Sequence, residues 1–346
     1  MKRFLVIYFF ACFLVGIPAQ KVKVLKSVSM GKWEIPAANY SGITPLGNND
    51  YAVVDDKSPY GGFYVLHIEM NLKNGKILSA QRTAFYGDSG RRNDDNEDLV
   101  YVPSSKTLFI TSEENQTVEE YSLSGERTGR CLRIPQMFSP ANIHGNKGFE
   151  ALAYDSIRQN FFLVTEGSLP LDGSCGADSL LPLRIQRYNK DLGTDGQWAY
   201  LMEKPRLKSN SKYYTHGVPA LLFVGNNDLY VMEREISVPS KYIGAKTTNR
   251  IFKVSLTPDY KLQNESSSLS KLSLDRFLPK QEICSFTTRL SLGKMNYGNF
   301  EGMCWGPTLY DGRRTILMIC DSQNGMGNSF YHLKDYLKVV ILPEGI

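Results

Sequence analysis

One short pattern recurs five times along the chain and limits what it can fold into more than any overall property. The segments Tyr40-Ser41-Gly42-Ile43, Glu97-Asp98-Leu99-Val100-Tyr101, Phe149-Glu150-Ala151-Leu152-Ala153-Tyr154, Val218-Pro219-Ala220-Leu221-Leu222-Phe223 and Phe300-Glu301-Gly302-Met303-Cys304-Trp305 align with one another. Each is followed, across a polar turn, by a second apolar run: Tyr51 to Asp56, Leu108 to Glu113, Phe161 to Glu166, Leu229 to Glu233 and Ile316 to Asp321. Short apolar runs rich in β-branched and aromatic residues, separated by Gly-Asn-Asn-Asp, Asn-Asn-Asp or Asp-Gly, read as hairpins. Third strands follow at Phe63 to Ile68, Val118 to Leu123, Leu183 to Tyr188 and Arg250 to Leu256, with a fourth such as Gln197 to Met202.

Four antiparallel strands per unit, repeated every 50 to 80 residues or so, are the sequence form of an all-β fold, a β-propeller of five or six four-stranded blades. Five units are explicit. The stretches around Ser168 to Arg184 and Gln263 to Asn299 leave room for a sixth. The last unit ends at Leu337 to Leu342 without a fourth strand, and Val22 to Val28 is expected to supply it, closing the ring. Residues 20–346 therefore form one propeller domain. With 20 Tyr, 17 Phe, 29 Gly and 16 Pro, the composition also favours sheet and turns over a helical bundle.

Lys2 and Arg3 precede an apolar run from Phe4 to Ile17 that ends in Pro18 and Ala19, which predicts a signal peptide over residues 1–19 and a secreted or periplasmic protein. Acylation at Cys12 fits less well, with Phe10 where a small residue is usual. The run is too short for a comfortable span, and no later segment crosses a membrane. The formal charge of +5 is dispersed, so nucleic acid is not an expected partner. We expect a monomer. Cleavage leaves Cys131, Cys175, Cys284, Cys304 and Cys320, an odd number without any C-x-x-C pair, so the fold does not rest on a disulfide framework or a zinc ribbon. Cys304 and Cys320, in apolar runs, read as small buried hydrophobes.

In a hairpin, the start of the first strand and the end of the second share one sheet edge, so both positions of every blade face one mouth of the channel. The first ring is Ser41, Asp98, Glu150, Pro219 and Glu301. The second set is Asp55, Asp56, Glu113, Glu114, Glu166, Glu233 and Asp321. Crowded carboxylates bind a cation, pair with bases, or shift their pKa values upward. Calcium is the natural hard cation for such an oxygen cage outside the cell, and a network of ion pairs with Lys57, Arg91, Arg92, Lys147, Arg234 and Arg250 is the competing reading. His144 and His216 precede inner strands and are candidate acid–base groups. Gly87-Asp88-Ser89-Gly90 lacks the context of a serine protease, and H-E-x-x-H, G-x-S-x-G and Walker patterns are absent.

Gly148 to Tyr154, Asn299 to Met303, and Met232-Glu233-Arg234-Glu235 followed by Asn249 to Val254 resemble the secreted phytase-like family, labelled for esterase-like activity, over essentially the whole mature chain. The resemblance implies a propeller with hydrolase activity on phosphate or other esters. By analogy of architecture with β-propeller phytases, it also implies calcium at an acidic channel mouth. Ser41 and Pro219 depart from the pattern, leaving three inner carboxylates.

Two hypotheses follow. In the first, a calcium-dependent hydrolase takes a small anionic or ester substrate, with metal on Asp98, Glu150 and Glu301 and catalytic roles for Glu150, Glu233, Arg234, Arg250 and His216. In the second, the same mouth binds a ligand, glycan or protein without catalysis.

Overall fold

The computed structural model describes residues 21–173, 181–207, 211–328 and 331–344. The leader over residues 1–19 and Cys175 lie outside the described residues. Five antiparallel sheets stand side by side as the blades of a propeller. From innermost to outermost strand, blade 1 is Tyr40–Gly47, Asp50–Asp55, Tyr60–Met70 and Ile77–Arg92. Blade 2 is Asn96–Val102, Thr107–Ser112, Thr117–Ser122 and Arg127–Cys131. Blade 3 is Phe149–Asp155, Asn160–Thr165, Pro182–Tyr188 and Thr194–Leu201. Blade 4 is Tyr213–Gly225, Asp228–Val238, Lys246–Ser255 and Lys280–Ser291. The inner strands of blade 5 are Asn299–Gly306, Thr315–Asp321 and Tyr336–Ile341.

The ring closes as expected. Lys23–Val24 pairs with Ile341 and Val340, and Val28–Ser29 pairs with Leu337 and Tyr336, so the start of the described chain is the outer edge of the last blade. The blade count is five. Gln263 to Asn299 supplies short 3-10 turns and the fourth strand of blade 4, and Pro182–Tyr188 is the third strand of blade 3, so neither stretch makes a sixth blade among the described residues.

Packing explains why the strands read as continuous apolar runs. A blade is covered on both faces, so alternate residues of one strand enter two different interfaces. In Thr315–Asp321, Leu317 and Ile319 pack with Ile43 and Val53 of blade 1, whereas Ile316 and Met318 pack with Tyr230 and Met232 of blade 4. Val53 faces blade 5, and Ala52 and Val54 face Leu108 and Ile110 of blade 2. Five such clusters, one per blade boundary, form the core. At about 1.5–3 kcal/mol for each fully buried large side chain, these interfaces are the main stabilising term.

Turn chemistry sets two of the inner hairpins: Asn48 and Asn49 have φ 53° and 65°, and Asn226 and Asn227 have φ 52° and 60°. Two successive positive φ values are the type I′ geometry that asparagine tolerates, and its twist suits a two-residue hairpin. Cys304 and Cys320 are buried free thiols, while Cys131 is exposed and Cys284 half-buried, also unbridged. No helix among the described residues is long and apolar enough to cross a membrane.

Candidate active site at the acidic channel mouth

Every innermost strand carries one extra residue near its start. The register slips between Tyr40 and Ile43, Asn96 and Leu99, Phe149 and Ala151, Gly217 and Ala220, and Phe300 and Gly302. A bulge twists the strand locally and re-aims the side chain it carries. Here it turns Glu97, Glu150 and Glu301 into a cavity of about 910 Å3 at one mouth of the channel. Asp56, Glu166, Asp321 and Arg234, from the ends of the second strands or the same level of blade 4, line it too, with Lys57, Lys147 and Asn299. Carboxylate oxygens of Glu97, Glu113 and Glu150 all lie within 4.8 Å of one another, as do those of Asp56, Asp95 and Glu97.

Of the residues expected at the site, Glu150, Glu301 and Arg234 meet in this cavity. Asp98 does not. Neighbouring residues of a strand point to opposite faces, so with Glu97 at the mouth Asp98 turns down the channel. There its carboxyl accepts from Leu99 N and Leu152 N, both at 2.8 Å, and borders a separate cavity of about 200 Å3 with Ile43 and Cys304. A Cβ on Gly42 would stand 2.3 Å from Asp98 Oδ1, so only glycine leaves room for this contact. Burial pushes the Asp98 carboxyl well above its ordinary range, against the two N–H donors.

Glu233 and Arg250 also lie off the cavity. Glu233 is next to Arg234 and faces the other way, toward blade 3. It is buried and accepts from Tyr200 Oη at 2.6 Å, Arg250 Nη2 at 3.2 Å, both buried, and the half-buried Lys280 Nζ at 2.8 Å. His216 is buried with Nε2 unpartnered, and burial, then the charges of Arg250 and Lys147, lower its pKa to about 3. Such a ring stays neutral. His144 is not among the residues lining the cavity; its Nε2 lies 2.9 Å from Gly173 O.

The cavity itself divides into a paired and an unpaired half. Arg234 Nη2 donates to Glu166 Oε1 at 2.7 Å, its Nη1 donates to Glu301, and Lys147 Nζ donates to Glu166 Oε2 at 2.6 Å. Burial pushes Glu166 up, but Lys147 and Arg234 more than offset it and hold the carboxyl below its usual value. Across the mouth Lys57 pairs with Asp56 at 3.1 Å and with Asp95, and among the described residues no Lys or Arg forms an ion pair with Glu97, Glu113 or Glu150. Burial, then the charges of Glu150 and Asp56, raise Glu97 well above the carboxylate range; burial, then Glu166 and Glu113, do the same to Glu150. Glu113 is pushed up to about 7 by burial although Gly148 N donates to its Oε1 at 2.8 Å, and Oε2 is buried without a partner.

That orphaned oxygen, beside two carboxylates of raised pKa, is the donor set a hard cation takes: all oxygen, several negative charges, little competing hydrogen bonding. The residues fit a calcium ion on Glu97, Glu113 and Glu150. Sequence reasoning took Asp98 for Glu97 because the bulge adds a residue that no apolar pattern reveals, although the aligned Phe149-Glu150 and Phe300-Glu301 place the acid second in the strand.

None of the curated proteins matches the chain. Among solved structures, it is similar to a streptogramin B lyase, at 11% identity over 92% of this chain and 98% of that one, TM-score 0.37. It is also similar to the tail fiber of Staphylococcus aureus phage P68, at 13% identity over 94% and 53%, TM-score 0.43. A DUF4221 member from Bacteroides vulgatus matches at 9% identity over 94% and 98%, TM-score 0.38. At such values the likeness assigns neither ligand nor activity. The phytase-like family model, described as esterase-like activity of phytase, matches residues 35–323, a stretch that takes in blades 1 to 4 and the inner hairpin of blade 5, and on that span the chain belongs to the phytase-like family.

Proposed function

We propose that the protein is a secreted, calcium-dependent ester hydrolase acting on phosphomonoesters at the acidic mouth. The observation that carries this reading is the approach of Glu97, Glu113 and Glu150 carboxylate oxygens to within 4.8 Å of one another beside a cavity that Glu97 and Glu150 line together with Lys147 and Arg234. Bound calcium would polarise a phosphoryl oxygen and favour the ionised form of a water beside it. Arg234 and Lys147 bind the remaining phosphoryl oxygens, Arg through two N–H groups and Lys as a point charge. Glu166 and Glu301 hold Arg234 in place from the neighbouring blades, so the guanidinium is oriented before substrate arrives. In the hydrolysis, a water oxygen bonds to phosphorus, the ester P–O bond breaks, and the alcohol departs with a proton.

Metal analysis of the purified protein and a screen of phosphate and carboxylate esters, each with calcium and with chelator, test the reading. Hydrolysis that needs calcium and is lost in Glu150→Gln supports it. A chain that binds no calcium and cleaves no ester under either condition overturns it.

A further inference from the structure

Blade 4 is taller than its neighbours. Its inner strand, Tyr213–Gly225, has 13 residues against 7 in Phe149–Asp155, and the pairing of Tyr213 with Val238 through Gly217 with Arg234 carries the hairpin on past the level of the bulge. The extension makes one wall of the cavity. Tyr213, Ile236, Tyr242, Leu290, Tyr297 and Met326 line it, above the charged floor. Ile236, Leu290 and Tyr297 form a small core beneath, whereas Tyr213, Tyr242 and Met326 remain 54%, 56% and 54% exposed. Three large apolar side chains held open around one cavity mark a ligand surface rather than scattered exposure.

Tyr242 adds an independent observation. Its φ is 62°, in the left-handed region that bulky residues avoid, and two turn hydrogen bonds fix it there: Tyr242 N to Pro239 O at 3.0 Å and Ala245 N to Tyr242 O at 2.9 Å. Strain kept at a cavity rim points to a use for the side chain that bears it.

The floor limits the anionic part of the ligand. Six carboxylates and three cations line the cavity. Each cation is already engaged: Lys57 by Asp56 and Asp95, Lys147 by Glu166, Arg234 by Glu166 and Glu301. One metal and two shared cations suit a single phosphoryl group, and a ligand with many phosphates would meet net repulsion.

We infer that the substrate is a monoester joining one phosphoryl group to an aromatic or branched apolar alcohol, which lies against the Tyr213 and Tyr242 wall, and not a polyphosphorylated polyol. This rests on the hydrolase reading above. Water supplies the oxygen that stays on phosphorus, and the apolar alcohol leaves protonated.

Binding and turnover separate the two readings. Calorimetry in calcium compares phenylphosphonate with methylphosphonate, and kinetics compare 1-naphthyl phosphate, glycerol 2-phosphate and inositol hexakisphosphate, for the wild type, Tyr213→Ser and Tyr242→Ser. The wild type is expected to favour the aryl ligand by about 10- to 100-fold. Each variant, whose change is at an exposed side chain, should narrow that ratio and raise KM for the naphthyl ester with kcat kept. Circular dichroism checks that the fold is retained. Aryl-selective binding without turnover of any ester supports the wall assignment and removes the hydrolase reading. Equal affinity for the two phosphonates, binding of neither, or equal turnover of inositol hexakisphosphate overturns the inference, and in the last case the hydrolase stands.

Discussion

Arg234 donates to Glu166 of blade 3 through one terminal nitrogen and to Glu301 of blade 5 through the other, so a single blade-4 side chain bridges carboxylates of the two flanking blades. In the other four blades the equivalent place, at the end of the second strand, holds Asp56, Glu113, Glu166 or Asp321. Blade 4 thus contributes the cation to an otherwise acidic ring.

Replacing Arg234 by Gln leaves the Glu301 carboxylate without its cation and Glu166 with Lys147 alone. We predict a loss of about 3 to 5 kcal/mol at pH 7 in chelator, read from urea unfolding. The loss should shrink at pH 5, where the stranded acids take up protons. A variant as stable as the wild type at pH 7 would show that the bridge holds nothing together.

Glu97→Gln and Glu150→Gln act in the opposite sense. Each removes one charge from a group of acids that burial and mutual repulsion raise well above the usual range. Without calcium the change should be neutral or mildly stabilising, whereas the calcium-dependent rise in melting temperature should disappear. Melting curves in calcium and in chelator check this. A large loss in chelator, together with a wild type indifferent to calcium, would assign these acids to holding the propeller.

The pH dependence of the metal-free protein follows from the same groups. Asp56 and Glu113 are raised to about 7 from ordinary values of 3.8 and 4.5, both chiefly by burial. Between those limits the folded chain binds more protons than the unfolded chain, so stability declines as pH rises through the window. Glu166, held low, contributes the reverse slope only below it, and His216, lowered from 6.5 to about 3, opposes the fall up to pH 6.5 as one group against these two carboxyls. Melts in chelator from pH 4.5 to 8 should therefore fall, and calcium should flatten the curve by taking the place of those protons. A rising curve in chelator contradicts burial as the force that raises these two carboxyls.

Glu233→Gln should destabilise without touching the metal. Its carboxylate answers Arg250 and Lys280 in a buried cluster between blades 3 and 4. The expected loss is again about 3 to 5 kcal/mol, equal with and without calcium, by urea unfolding. A selective effect on calcium affinity would return this residue to the site.

Deleting residues 21–30 should expose the edge of Tyr336–Ile341 and lower the melting temperature of the whole protein. The segment pairs with that strand at four positions, and Val22 and Val24 pack against the interface of blades 4 and 5. Hydrogen exchange should show Val339 and Ile341, which face the deleted segment, losing protection first. Unchanged protection there would mean that the ring does not need its outer strand.

The propeller was legible because burial on both faces writes itself into the sequence as five apolar hairpins, with Asn48-Asn49 and Asn226-Asn227 marking two turns. The mouth was legible only as a level. Strand polarity placed Glu150, Glu301 and Arg234 there, but which of Glu97 and Asp98 faces it depends on one bulge residue. The same parity turns Glu233 away from Arg234. The long sheet of blade 4 was hidden as well, since Tyr213, Thr215 and Gly217 offer no apolar alternation to announce a strand.

The hydrogen bond from Lys338 Nζ to Leu25 O joins groups 313 residues apart. During synthesis the segment at 23–29 therefore emerges long before any partner exists, and it must remain unattached while four blades form. Loop closure on that scale is the slow kind of event in folding. The ribosome delivers the latch first and the catch last, so a chain cut short anywhere before residue 336 has no route to the closed ring, however many blades it has completed.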